Sequence, residues 1–130
     1  MPSRDDALML LGRTEEDIRV AELLAERPEF SDEMFGFHLQ QAVEKLLKSL
    51  LAAHDQSFPF SHNLYDLVDL CQERKITLPD DVDHLCLLTP FATVLRYSSV
   101  PVGQIDSLDR KCLLVAVQRL RELCAVQLRQ

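Results

Sequence analysis

Apolar residues recur three and four positions apart along most of the chain, the spacing of one face of an α-helix. Ile18, Ala21, Leu24 and Ala25 repeat this way after Thr14-Glu15-Glu16-Asp17, which reads as a capping box. Pro28 ends this first helix near Arg27. Upstream, Asp5 to Leu11 is either a separate helical turn or the same helix continued through Gly12. Ser31, followed by Asp32 and Glu33, predicts the next start, because a hydroxyl cap and acids suit the positive end of a helix. That helix is predicted to run to about Ala53, with Phe35, Leu39, Ala42, Val43, Leu46, Leu47, Leu50 and Ala53 as one wide apolar stripe.

Asn63, with Asp66, caps a third predicted helix reaching about Lys75, with Leu64, Leu67, Val68 and Cys71 inward. Pro79 and Asp80 open a fourth, whose stripe is Leu85, Leu88, Phe91, Ala92 and Leu95. Pro90 inside that stripe predicts a kink or break. Ser98 to Gln104 reads as a loop, and Asp106 or Ser107 as the cap of a final helix. There Leu113, Leu114, Val117, Leu120, Leu123, Cys124 and Leu128 point one way.

Composition agrees with the pattern. Only three glycines occur in 130 residues, too few for the turns of a β-sandwich. Leu is abundant while Val, Ile and Thr are sparse, which favours helix. The fold class predicted is all-α: an antiparallel up-and-down bundle of four to five helices, forming a single domain over residues 1–130.

The formal net charge of −7 argues against broad, nonspecific nucleic-acid binding. The segment from Ser107 onward reverses the balance, with Arg110, Lys111, Arg119, Arg121 and Arg129 against Asp109 and Glu122. Such a helix either contacts phosphate or an acidic partner, or is a solvated face balancing its neighbours. Nothing at the N-terminus resembles a signal peptide, and no run is long enough for a membrane span. Cys71, Cys86, Cys112 and Cys124 form no CxxC and each lies among apolar helical residues, as buried thiols do. Reduced cysteines and a cytoplasmic location, without membrane association, are expected.

Gln41, Glu44, Lys45 and Lys48 share the polar flank of the second helix. They form either a groove for a nucleotide or partner, or a solvated face with Glu44–Lys48 pairing. Met34 and Phe37, with His38, are large groups on that flank and are candidates for a dimer interface. His62, just before a helix cap, reads as making a local hydrogen bond. His84 and Cys86 carry metal-capable atoms, but no second pair stands at the spacing of a zinc site. With no glycine-rich phosphate loop, HExxH, G-x-S-x-G or Walker sequence, no cofactor or metal is expected.

The stretch Phe37-His38-Leu39-Gln40-Gln41-Ala42-Val43-Glu44-Lys45-Leu46-Leu47-Lys48-Ser49-Leu50-Leu51 resembles the second-helix signature of HEPN domains. Phe58-Pro59 followed by Ser61-His62-Asn63-Leu64 is similar to a later family segment, and Leu95-Arg96-Tyr97 to a third, in the same order. The resemblance implies an antiparallel helical bundle, usually a homodimer, often paired with a minimal nucleotidyltransferase as a toxin–antitoxin system. It also implies that active members are metal-independent ribonucleases with an Arg-x(4–6)-His motif from each subunit. There the histidine moves the proton of a 2′-hydroxyl and the arginine steadies phosphate charge.

This chain departs from that pattern. After Arg96 come Tyr97-Ser98-Ser99-Val100-Pro101-Val102-Gly103, and no histidine in the chain has an arginine five to seven residues upstream. Lys48 with His54 is the nearest mimic, and lysine lacks the guanidinium fork. Arg96 and Tyr97 stand as candidate phosphate contacts, or as a cation favoured at a helix C-terminus. The expectation is a HEPN-type nucleotide/RNA-binding or protein-interaction module, catalytically degenerate. One alternative is a divergent endoribonuclease using Arg96 with Tyr97 or a serine across a dimer cleft. Another is a ligand-free helical adaptor.

Overall fold

A computed structural model describes residues 4–94 and 108–128, with side chains of 93 and 94 excepted. Every regular element among these residues is helical, as the spacing predicts. The elements are α1 (Arg4–Ala25), α2 (Asp32–Ala53), α3 (Leu64–Glu73), α4 (Val82–Leu85), a 3-10 turn (Cys86–Leu88), α5 (Phe91–Val94) and α6 (Arg110–Leu128). Leu95, Arg96, Tyr97, the Ser98–Gln104 segment, Asp106, Ser107 and Arg129 lie outside the described residues.

Cross-helix contacts fix the topology. His38 and Lys45 of α2 both face Asp17 of α1, and Ala52 packs with Ala7, so α1 and α2 are antiparallel. Arg110 bonds the carbonyl of Leu24, and Arg121 bonds Glu15, so α6 also runs against α1. It runs parallel to α2, because Arg110 meets Asp32 while Cys124 meets the carbonyl of Leu46. The α2 stripe is the hub of one apolar core, with Phe35, Leu39, Leu46, Leu47 and Leu50 fully buried.

Local signals set most boundaries. Ser31 caps α2 by accepting from the Met34 N–H at 3.3 Å, and Asn63 caps α3 by accepting from the Tyr65 N–H at 3.0 Å. Both helices close with a residue in the left-handed region, Asp55 (φ 56°) and Lys75 (φ 59°). The next N–H of each, Gln56 and Ile76, reaches back to the carbonyls of Leu51 and Cys71, a Schellman closure. The fourth predicted helix is broken at Pro90, leaving α4 and α5 as single turns.

Three expectations need correction. Thr14 caps nothing: α1 is continuous from Arg4, and the buried Thr14 hydroxyl donates to the Leu10 carbonyl at 2.9 Å. The start of α6 is made by Asp109, whose carboxylate accepts from the Cys112 N–H at 3.0 Å. Cys112 is exposed, unlike the other three thiols. Burial pushes those up, Cys71 and Cys124 to about 12 and Cys86 to about 11, so they stay protonated at neutral pH.

Gly36 is a packing requirement. A Cβ there would lie 2.5 Å from Cδ1 of Phe91, whose ring is only 1% exposed. The seat fixes α5 against α2. Gly36→Ala gains helix propensity of about 1 kcal/mol, but overpacking costs more. A net loss of about 1–2 kcal/mol is expected in urea unfolding, partly restored by adding Phe91→Leu. A stabilised single variant would refute the seat.

Candidate functional site

The polar flank of α2 is turned largely inward. Gln40 is fully buried and Glu44 is 7% exposed, while Gln41, Lys45 and Lys48 are half-buried. The residues 58–63 lie over this flank, tied down by Glu44. Its Oε1 accepts from Nε2 of Gln40 at 3.1 Å and meets Nδ1 of His62 at 2.9 Å; its Oε2 accepts from Lys48 Nζ at 3.0 Å. Gln40 completes the network: its Nε2 also donates to the His62 carbonyl at 3.1 Å, and its Oε1 accepts from Gln41 at 2.7 Å. Lys48 Nζ further sits 5.6 Å from the Phe58 ring centroid, a cation–π contact.

Burial disfavours charge on Glu44. Hydrogen bonds from His62, Lys48 and Gln40, with the Lys48 charge, outweigh it and hold the carboxyl below the ordinary glutamate range. The predicted Glu44–Lys48 pair therefore exists, but as part of an interior network. His62 does not bond locally; it reaches Glu44, eighteen residues away.

Beside this network, Lys45 pairs with Asp17 of α1 at 2.5 Å. His38 Nδ1 is buried without a hydrogen-bond partner among the described residues, 3.9 Å from Asp17 Oδ1. The Phe37 ring meets His38 edge-on, with centroids 5.3 Å apart. Met34 is half-buried against the core. Sequence reasoning read Asp17 only as part of a capping box and missed both its pairing with Lys45 and the tie between Glu44 and His62, because neither Asp17 nor His62 lies on α2.

A family model of the HEPN domain matches residues 7–127. The chain belongs to the HEPN family. Neither curated proteins nor solved structures gave a match. The stretch from Phe37 to Leu51 is, in this HEPN bundle, the central helix, and the Phe58–Leu64 segment is what closes over it.

The basic character of α6 is largely spent within the HEPN bundle itself. Arg110 is engaged by Asp32, Arg119 by Asp81 at 2.9 Å and Arg121 by Glu15 at 2.6 Å. No group of three or more metal-ligating side chains occurs among the described residues. No described helix is long and apolar enough to cross a membrane.

Proposed function

We propose that this HEPN domain is a nucleotide/RNA-binding or protein-interaction module that has lost the family's ribonuclease chemistry. The observation that carries the reading is a family match over nearly the whole chain, in a sequence with no Arg-x(4–6)-His. A HEPN domain supports nucleotide or RNA binding in general. Without the histidine there is no group at the expected place to take the 2′-hydroxyl proton. Arg96 and Tyr97 are retained as proposed phosphate contacts, and Gln41, Glu44, Lys45 and Lys48 as the other ligand candidates.

The further parts of the proposal are cytoplasmic residence, a homodimer using Met34, Phe37 and His38, and a nucleotidyltransferase-like partner in a toxin–antitoxin-like pair. Light scattering showing only a 14.9 kDa species at working concentration would remove the dimer. A neighbouring gene unrelated to nucleotidyltransferases would remove most support for the pairing.

The expected result for the central claim is twofold. Nucleotides or single-stranded RNA shift the protein's NMR resonances, and the RNA remains intact after long incubation with excess protein. Cleavage abolished by Arg96→Ala would establish the ribonuclease reading instead.

A further inference from the structure

His62 and Phe60 stand out from the rest of the molecule. Phe60 is the most exposed large apolar residue described, at 108% of its reference area, and contributes nothing to the core. His62, two positions on, has a side chain 51% exposed, yet its Nδ1 is fixed on a carboxylate that is 9% exposed. Glu44 accepts from Gln40 and from the Lys48 ammonium and is held ionised, so it can only accept; the hydrogen of the Glu44–His62 bond is therefore placed on Nδ1. In the neutral ring Nε2 then carries the lone pair, and it has no partner among the described residues. Gln40 holds the His62 carbonyl as well, so both backbone and ring are positioned before any ligand arrives.

The segment thus presents a bare aromatic face and an oriented hydrogen-bond acceptor, supported by a buried network. A ligand that matches both has a flat ring and a hydroxyl donor. Ribonucleosides have this constitution, and aromatic side chains stack on bases of any sequence. We propose that Phe60 and His62 form a ribonucleoside-recognition site in which the base stacks on Phe60 and a ribose hydroxyl donates to Nε2 of His62. This rests on the nucleotide-binding reading above and gives it a location and a preference for ribose.

Titration of the full chain with adenosine 5′-monophosphate, its 2′-deoxy and 2′,3′-dideoxy counterparts, and a short single-stranded RNA, followed by NMR, tests it. Wild-type protein is expected to bind the ribonucleotide at least about fivefold more tightly than the dideoxy form, since one hydrogen bond to a fixed acceptor is at stake. His62→Leu should erase that preference, and Phe60→Ala should weaken all three nucleotides alike. Both positions are exposed enough for the variants to fold, which the amide spectrum verifies. Tighter binding of the RNA than of the monophosphate would identify a strand as the ligand source; the reverse would identify free nucleotide. Equal affinity for all three sugars, a preference that survives His62→Leu, or nitrogen-15 shifts placing the hydrogen on Nε2 would overturn the site while leaving nucleotide binding intact. Failure of wild-type protein to bind any of the four probes would overturn the nucleotide-binding reading itself, and the site with it.

Discussion

Replacing Arg110 with alanine is expected to lower the unfolding free energy by about 3 kcal/mol, a fall in Tm of about 10 °C for a chain of this size. The side chain is 16% exposed, and each of its three nitrogens donates a hydrogen bond. Its Nε bonds Asp32 at 3.0 Å, one terminal nitrogen bonds the Leu24 carbonyl at 2.7 Å, and the other bonds the Phe30 carbonyl at 2.6 Å. The guanidinium also lies 5.4 Å from the Phe35 ring centroid. Leu24 belongs to the last turn of α1, where carbonyls lack helical partners. Asp32 opens α2, and its second oxygen accepts from the Leu108 N–H at 3.2 Å. One cation thus joins the end of α1, the connecting loop, the start of α2 and the start of α6. Arg110→Lys should recover little, because an ammonium is a single point and these acceptors lie in three directions. A lysine variant as stable as wild type in urea, or an alanine variant within about 1 kcal/mol of it, would show that the clamp is incidental.

That residue marks the limit of sequence reading. Arg110 belongs to a run of cations on an acidic chain, and the run reads as a surface for phosphate or solvent. Its acceptors are mostly backbone carbonyls about eighty residues upstream, and carbonyls have no signature in a sequence. Signals that act within a turn were legible: Ser31 and Asn63 as caps, Pro90 as a break, the α2 stripe as the core. Thr14 shows how such a signal misleads. Thr-Glu-Glu-Asp is the same string whether a helix starts there or passes through. The choice was made by Ala7, which buries against Ala52 and Leu128 and extends the helix upstream. The polar flank of α2 follows the same rule. Its residues and the family they indicate were visible, but not that the segment at 58–63 would close over Glu44. Arg96 and Tyr97, the proposed phosphate contacts, lie outside the described residues.

Glu44 is the second position where a single change should have a large effect. Glu44→Ala removes the acceptor for three donors at once. It leaves Gln40 buried without that bond, and Lys48, whose side chain is 12% exposed, without its counter-charge. An unpaired, nearly buried ammonium dominates the cost, which should reach about 3–4 kcal/mol. Glu44→Gln keeps the shape and one acceptor oxygen, and should cost about half as much. The two changes also differ from wild type in their response to acid, and the sign follows from the lowered carboxyl of Glu44. A carboxyl more acidic when folded than unfolded contributes stability above its ordinary range. That contribution fades as pH falls through that range and on toward the folded value. The stability gap between wild type and Glu44→Gln should therefore be full near about pH 6 and shrink toward about pH 3. Urea unfolding of both proteins across that interval measures it directly. A gap that stays constant with pH would mean the carboxylate is not stabilised by folding, and the fixed tautomer of His62 would lose its support as well.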